Sequence, residues 1–218
     1  MESIPNPLFL LLVMMALAMA PFVALMGTAF LKLSVVMFLV RNALGIQQIP
    51  PNMAINGLAF ILSLYIMAPV GMQAYDILAD KHVDFNSLKN PANLQALKEA
   101  AEPFRAFLFK HSNKLQRGFF VRATQKLWPG QQALEVTENH MLVLLPAFTI
   151  TELTEAFEIG FLLYLPFITI DLIVSNILLA MGMMMVSPMT ISLPFKLLLF
   201  VLVNGWSRLI HGLVLSYA

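Results

Sequence analysis

The chain of 218 residues contains no cysteine, which excludes disulfides, thiolate metal sites and cysteine nucleophiles. Charge is scarce as well, at 11% of residues, where a globular domain carries about 25%. The net charge of +1 leaves no basic field for nucleic acid and no polybasic tail for anionic lipid. No Gly-x-x-x-x-Gly-Lys-Ser/Thr phosphate loop, Gly-x-Gly-x-x-Gly, His-Glu-x-x-His or Gly-x-Ser-x-Gly occurs, so no common enzyme class announces itself. His82, His111, His140 and His211 are scattered without metal-ligand spacing. No internal repeat and no Asn-x-Ser/Thr sequon is present. No cofactor is expected.

Hydrophobic residues make up 59% of the chain, and the mean hydropathy of +0.80 points to a membrane protein. Residues 3–31, 42–75 and 172–195 are free of charge, each run exceeding the ~20 residues that a spanning helix needs. The first run has no basic n-region and is too long for a signal peptide, so it reads as retained. Residues 76–139 hold 16 of the 25 charged side chains and form the water-exposed part. Within them, 92–124 carries a helical stripe of Leu and Phe, with Pro103 bending or restarting the helix. The expected fold is therefore all-α. Two hydrophobic helical hairpins, 1–75 and 140–218, flank a small polar helical module, 76–139. The spanning helices are expected near 8–31, 53–75, 142–166 and 170–217. The first pair would be joined by a connector containing Lys32, Arg41 and Pro50-Pro51, and the last helix broken near 182–188 and at Pro194. Cations on the short connector place it in the cytoplasm and the central module outside it.

Charges inside the apolar blocks carry the functional signal, because each costs roughly 2.5–3.5 kcal/mol at bilayer depth. Glu152, Glu155 and Glu158 recur every three residues, an acidic stripe on one helical face. It fits a proton relay, ion pairs with neighbouring subunits, or a helix at the bilayer edge with its acids in water. Lys196, embedded among leucines and phenylalanines, needs an acid, and Glu152 is the candidate. Asp171 and Arg41 are further polar groups in apolar surroundings. Met181-Gly182-Met183-Met184-Met185 reads either as adaptable core filler or as a deformable seal that gates a pore by excluding water.

Taken together, residues 41–53, 147–171 (with Thr151-Glu152-Leu153-Thr154-Glu155-Ala156-Phe157-Glu158-Ile159-Gly160-Phe161) and 181–206 resemble the export-apparatus family of bacterial type III secretion systems, the FliP / YscR / SctR type. Pro50-Pro51-Asn52-Met53 and Ser63-Leu64-Tyr65-Ile66-Met67-Ala68-Pro69-Val70 are closer to the injectisome branch. The resemblance implies a non-enzymatic, multi-pass inner-membrane subunit that forms a homo-oligomer, a pentamer. Its implied partners are two small hydrophobic export-apparatus proteins (FliQ/SctS-like and FliR/SctT-like) and a larger export-gate membrane subunit, and its cargo is unfolded secreted protein. It also implies that Met183, Met184 and Met185, with Met181, seal the pore, that Glu152 and Lys196 form an inter-helix or inter-subunit ion pair, and that the assembled family sits largely outside the bilayer plane. Glu155, Glu158, Asp171 and Arg41 would make the other buried polar contacts. A small proton-coupled transporter or channel using the acidic stripe is the alternative.

Overall fold

A computed structural model describes residues 7–46, 48–81, 91–128 and 135–218. Among them the chain is all-α, with helices α1 (Pro7–Met26), α2 (Phe30–Ala43), α3 (Asn52–Asp80), α4 (Pro91–Ala100), α5 (Glu102–His111), α6 (Lys114–Leu127), α7 (Met141–Ala180), α8 (Pro188–Leu202) and α9 (Gly205–Leu215). The helices α3 and α7 are each long and apolar enough to cross a membrane. The segments of that kind rise to four if the bent pairs 17–43 and 188–215, each turning by 58°, count as one apiece.

The centre of the fold is α2, which the sequence pattern had placed in a connector. Leu33, Val36, Met37, Val40 and Leu44 recur at helical spacing and are all buried. That stripe packs chiefly on α7 and α3. Gly160 of α7 makes the approach close: a Cβ there would stand 2.3 Å from Leu39 Cδ1, so a larger residue would push α2 outward. On α3, Ile55, Ala59 and Ser63 form a narrow buried stripe, and the Ser63 hydroxyl donates to Thr28 Oγ1 at 3.0 Å.

Between the two apolar blocks, α4 and α5 meet at Ala101 and Pro103 sits in the first turn of α5, the restart that proline favours. The side chain of Asn113 caps α6 by accepting from Leu115 N–H at 2.8 Å. Its own backbone N–H donates to Thr151 Oγ1 at 2.9 Å, which ties the start of α6 to α7. Further ties inside the module are Lys81 with Glu99 and Arg105 with Glu102.

Prolines were expected to divide the last 77 or so residues into segments near 166–170 and at Pro194, and here the structure differs. Over its 40 residues α7 runs through Pro146 and Pro166, and α8 runs through Pro194. The break lies instead at Asn204, whose backbone is left-handed (φ 52°), before Gly205. Gly205 is required there because a Cβ would stand 2.3 Å from the Phe200 ring. At about 60 Å, α7 is twice the ~30 Å hydrocarbon thickness, so it is not a single simple span. Its Thr149, Thr151, Thr154 and Thr169 hydroxyls donate to carbonyls four residues earlier, and Thr149 also reaches the Met26 carbonyl of α1 at 3.1 Å.

Candidate functional site

Two features stand out, a buried charged centre and an exposed methionine tip, both built on α7.

The charged centre forms where α2 crosses α7. Lys32 Nζ lies 2.9 Å from Glu152 Oε1 and 2.6 Å from Glu155 Oε2, with Lys32 2% and Glu152 0% exposed. The Tyr217 hydroxyl donates to Glu152 Oε2, and the Tyr217 ring stands 4.4 Å from Lys32 Nζ. Glu152 Oε1 is held by charge alone, without good hydrogen-bond geometry. On its other side the Tyr217 ring stacks on Phe107 and leans on His111 of α5, at centroid distances of 6.1 and 5.1 Å. The centre thus joins both apolar blocks to the polar module.

His111 is held below the ordinary histidine range, first by burial and then by the positive charges of Lys110 and Lys32, against an opposing pull from Glu155. The unfolded chain therefore binds the proton more readily than the folded one. Stability from neutral His111 is complete above its ordinary value of 6.5 and is lost as pH falls below it. Between about pH 7 and about pH 5, thermal unfolding in mild detergent should drop further for the wild type than for His111→Phe. Parallel curves would remove this role for His111.

A second ion pair closes the α7–α8 hairpin. Lys196 Nζ contacts Asp171 Oδ2 at 2.6 Å and donates to the Ala43 carbonyl at 3.2 Å, and the fully buried Ser192 hydroxyl donates to Asp171 Oδ1 at 2.5 Å. Within one chain Lys196 and Glu152 are not paired with each other. Each has a different partner, because Lys196 reaches the C-terminal end of α2 while Glu152 faces its beginning. Arg41, also in the last turn of α2, donates to the Pro50 carbonyl at 3.2 Å and to Asn52 Oδ1 at 2.6 Å, and stacks over Phe38. Both cations complement the negative end of the α2 dipole.

Of the other expected buried contacts, Arg41 is buried and Asp171 is 31% exposed, but Glu155 is 47% exposed and Glu158 is exposed without a partner among the described residues. Lys32, Ser192 and Tyr217 are not among the expected site residues, Lys32 being expected only as a connector cation. Lys32 offered a signal, a lone cation inside an apolar helical stripe, whereas nothing local marks Tyr217.

The tip follows the C-terminus of α7. Gly182 (φ 74°) takes the left-handed position, its N–H bonding the Leu179 carbonyl and that of Met183 the Leu178 carbonyl. Pro188 then opens α8 at its first position. Between them Met181, Met183, Met184 and Met185 are 61, 40, 80 and 101% exposed. Core filler would be buried; in the single chain these thioethers are not. Among the described residues no group of three or more His, Asp or Glu is placed to hold a metal ion.

The FliP family model matches residues 13–213. Over 217 residues the chain is 55% identical to the Yop proteins translocation protein R of Yersinia pestis, covering 100% of this chain and 99% of that one. It is 50% identical over 211 residues to the hypersensitivity response secretion protein HrcR of Ralstonia nicotianae, covering 95% and 96%. It is 45% identical over 225 residues to the virulence protein YscR of Salmonella typhimurium, covering 99% and 100%.

Proposed function

Because the chain belongs to the FliP family, in its type III secretion injectisome branch, we propose that it is a non-enzymatic core subunit of the export gate. Several copies, five in the expected pentamer, would surround a conduit for unfolded secreted proteins across the bacterial inner membrane. Two small hydrophobic proteins would complete the assembly and a larger membrane subunit would dock on it. Its central module, 76–139, would lie outside the cytoplasm.

The observation that carries this reading is the methionine tip. Four exposed thioether side chains stand at the end of a helical hairpin, on a glycine-capped turn, with Met184 and Met185 almost wholly uncovered among the described residues. Gathered from several copies around an axis, such flexible apolar side chains would exclude water and ions, yet deform around a passing chain. The transporter alternative draws less support, since Lys32 engages two of the three acids in its stripe.

Native mass spectrometry in mild detergent, on the chain alone and co-expressed with the two small hydrophobic proteins, tests the proposal. A discrete homo-oligomer that takes up both is the expected result. A monomer or dimer that ignores them would return the choice to the transporter.

A further inference from the structure

Residues 27–75 and 141–218 contain four cations, Lys32, Arg41, Lys196 and Arg208, and four acids, Glu152, Glu155, Glu158 and Asp171. Their charges cancel, so each copy brings every counter-ion it needs. Lys32 holds Glu152 and Glu155, Lys196 holds Asp171, and Arg41 is hydrogen-bonded to neutral groups. One acid and one cation are left, Glu158 on α7 and Arg208 on α9. Both are exposed, and among the described residues neither side chain has an ion-pair or hydrogen-bond partner.

Their surroundings are both apolar. Glu158 stands on an exposed apolar face of α7, flanked by Phe157, Phe161 and Leu162, which are 54, 63 and 60% exposed. Arg208 lines a cleft of about 590 Å³ between α7, α8 and α9, otherwise walled by apolar groups such as Ile159, Leu163, Phe167 and Leu199. On α7 the cleft-lining residues 159, 163 and 166 lie roughly a third of a turn from the face of 158, 161 and 162. One helix therefore presents a ridge carrying an acid on one side and helps to wall a hollow holding a cation on another.

We propose that the ridge of one copy enters the cleft of the next, with Glu158 pairing Arg208 across the subunit boundary. The contact is head-to-tail, the kind that propagates around a ring. Its occupant is a second copy of this chain, because the spare acid and the spare cation of these residues are present in equal number, the acid on an exposed apolar face and the cation at an apolar cleft. The inference rests on the oligomeric reading above and adds to it the surfaces and the ion pair that join the copies.

The absence of cysteine makes the test direct. The double variant Glu158→Cys/Arg208→Cys, treated in mild detergent with a short bifunctional maleimide, should give a ladder of linked chains on a denaturing gel. Either single variant should give none. Glu158→Arg or Arg208→Glu alone should lower the oligomer fraction about tenfold by native mass spectrometry, and the charge-swapped double variant should recover most of it. An internally linked monomer band without a ladder would overturn the inference. So would a wild-type oligomer in which neither the crosslink nor the swap has an effect, although the gate reading would survive that result. A wild-type chain that stays monomeric would overturn both.

Discussion

Lys32→Ala should cost this protein about 3–5 kcal/mol, the usual penalty for leaving a buried charge without its partner. Glu152 is fully buried, and without Lys32 it would keep only the Tyr217 hydroxyl. Glu155 would lose its ion pair as well, although at 47% exposure it can turn to water. The loss should appear as a fall in thermal unfolding temperature in mild detergent and in the yield of monodisperse protein. Adding Glu152→Leu to a Lys32→Met background should recover much of it, since a well-packed apolar pair of similar volume is often as stable as a buried ion pair. A single variant that unfolds within about 1 kcal/mol of the wild type would mean that the pair behaves as an exposed bridge.

The second large effect concerns the tip. Replacing Met183, Met184 and Met185 together by glycine should leave thermal unfolding almost unchanged, within the ~0.5 kcal/mol typical of exposed positions. Ion leakage through the assembled complex should nevertheless rise several-fold, because the side chains proposed to exclude water would be gone. Leucine at the same three positions should keep the leak low while stiffening the seal, so secretion should slow. Conductance in planar bilayers and secretion in cells would separate these outcomes. If the glycine variant stays tight and unfolds early, the methionines act as packing and the seal is misplaced.

Much of the architecture could be read from hydropathy and from Gly and Pro: an all-α chain, apolar helices long enough to cross a membrane, and an interruption between Gly182 and Pro188. What could not be read is where apolar helices end. Pro166 and Pro194 looked like breaks, yet both helices run on through them. The actual break carried an Asn-Gly pair, Asn204-Gly205, a turn signal inside an apolar run that the prolines overshadowed. The stripe of α2 was hidden for a similar reason, since Pro50-Pro51 and the long run before Lys32 invited a two-helix interpretation. Ion-pair partners are harder still. That Glu152 and Lys196 each need an opposite charge follows from their apolar neighbours; which one depends on how α2 lies across α7, and no local spacing encodes that.

The distribution of anchorage along α7 has a mechanical meaning. Eight of its buried residues fall in 141–160 and three in 161–180, and Pro166, with no N–H to offer, leaves the helical ladder one bond short just past the midpoint. It is a beam clamped along its first half, notched beyond the clamp, and braced over the rest mainly by α8. Force on the tip would be taken up as bending at the notch, and little of it would reach Lys32 and Glu152. In the proposed gate, compliance would then be concentrated where displacement would serve passage of a chain, and stiffness where the subunit is held together.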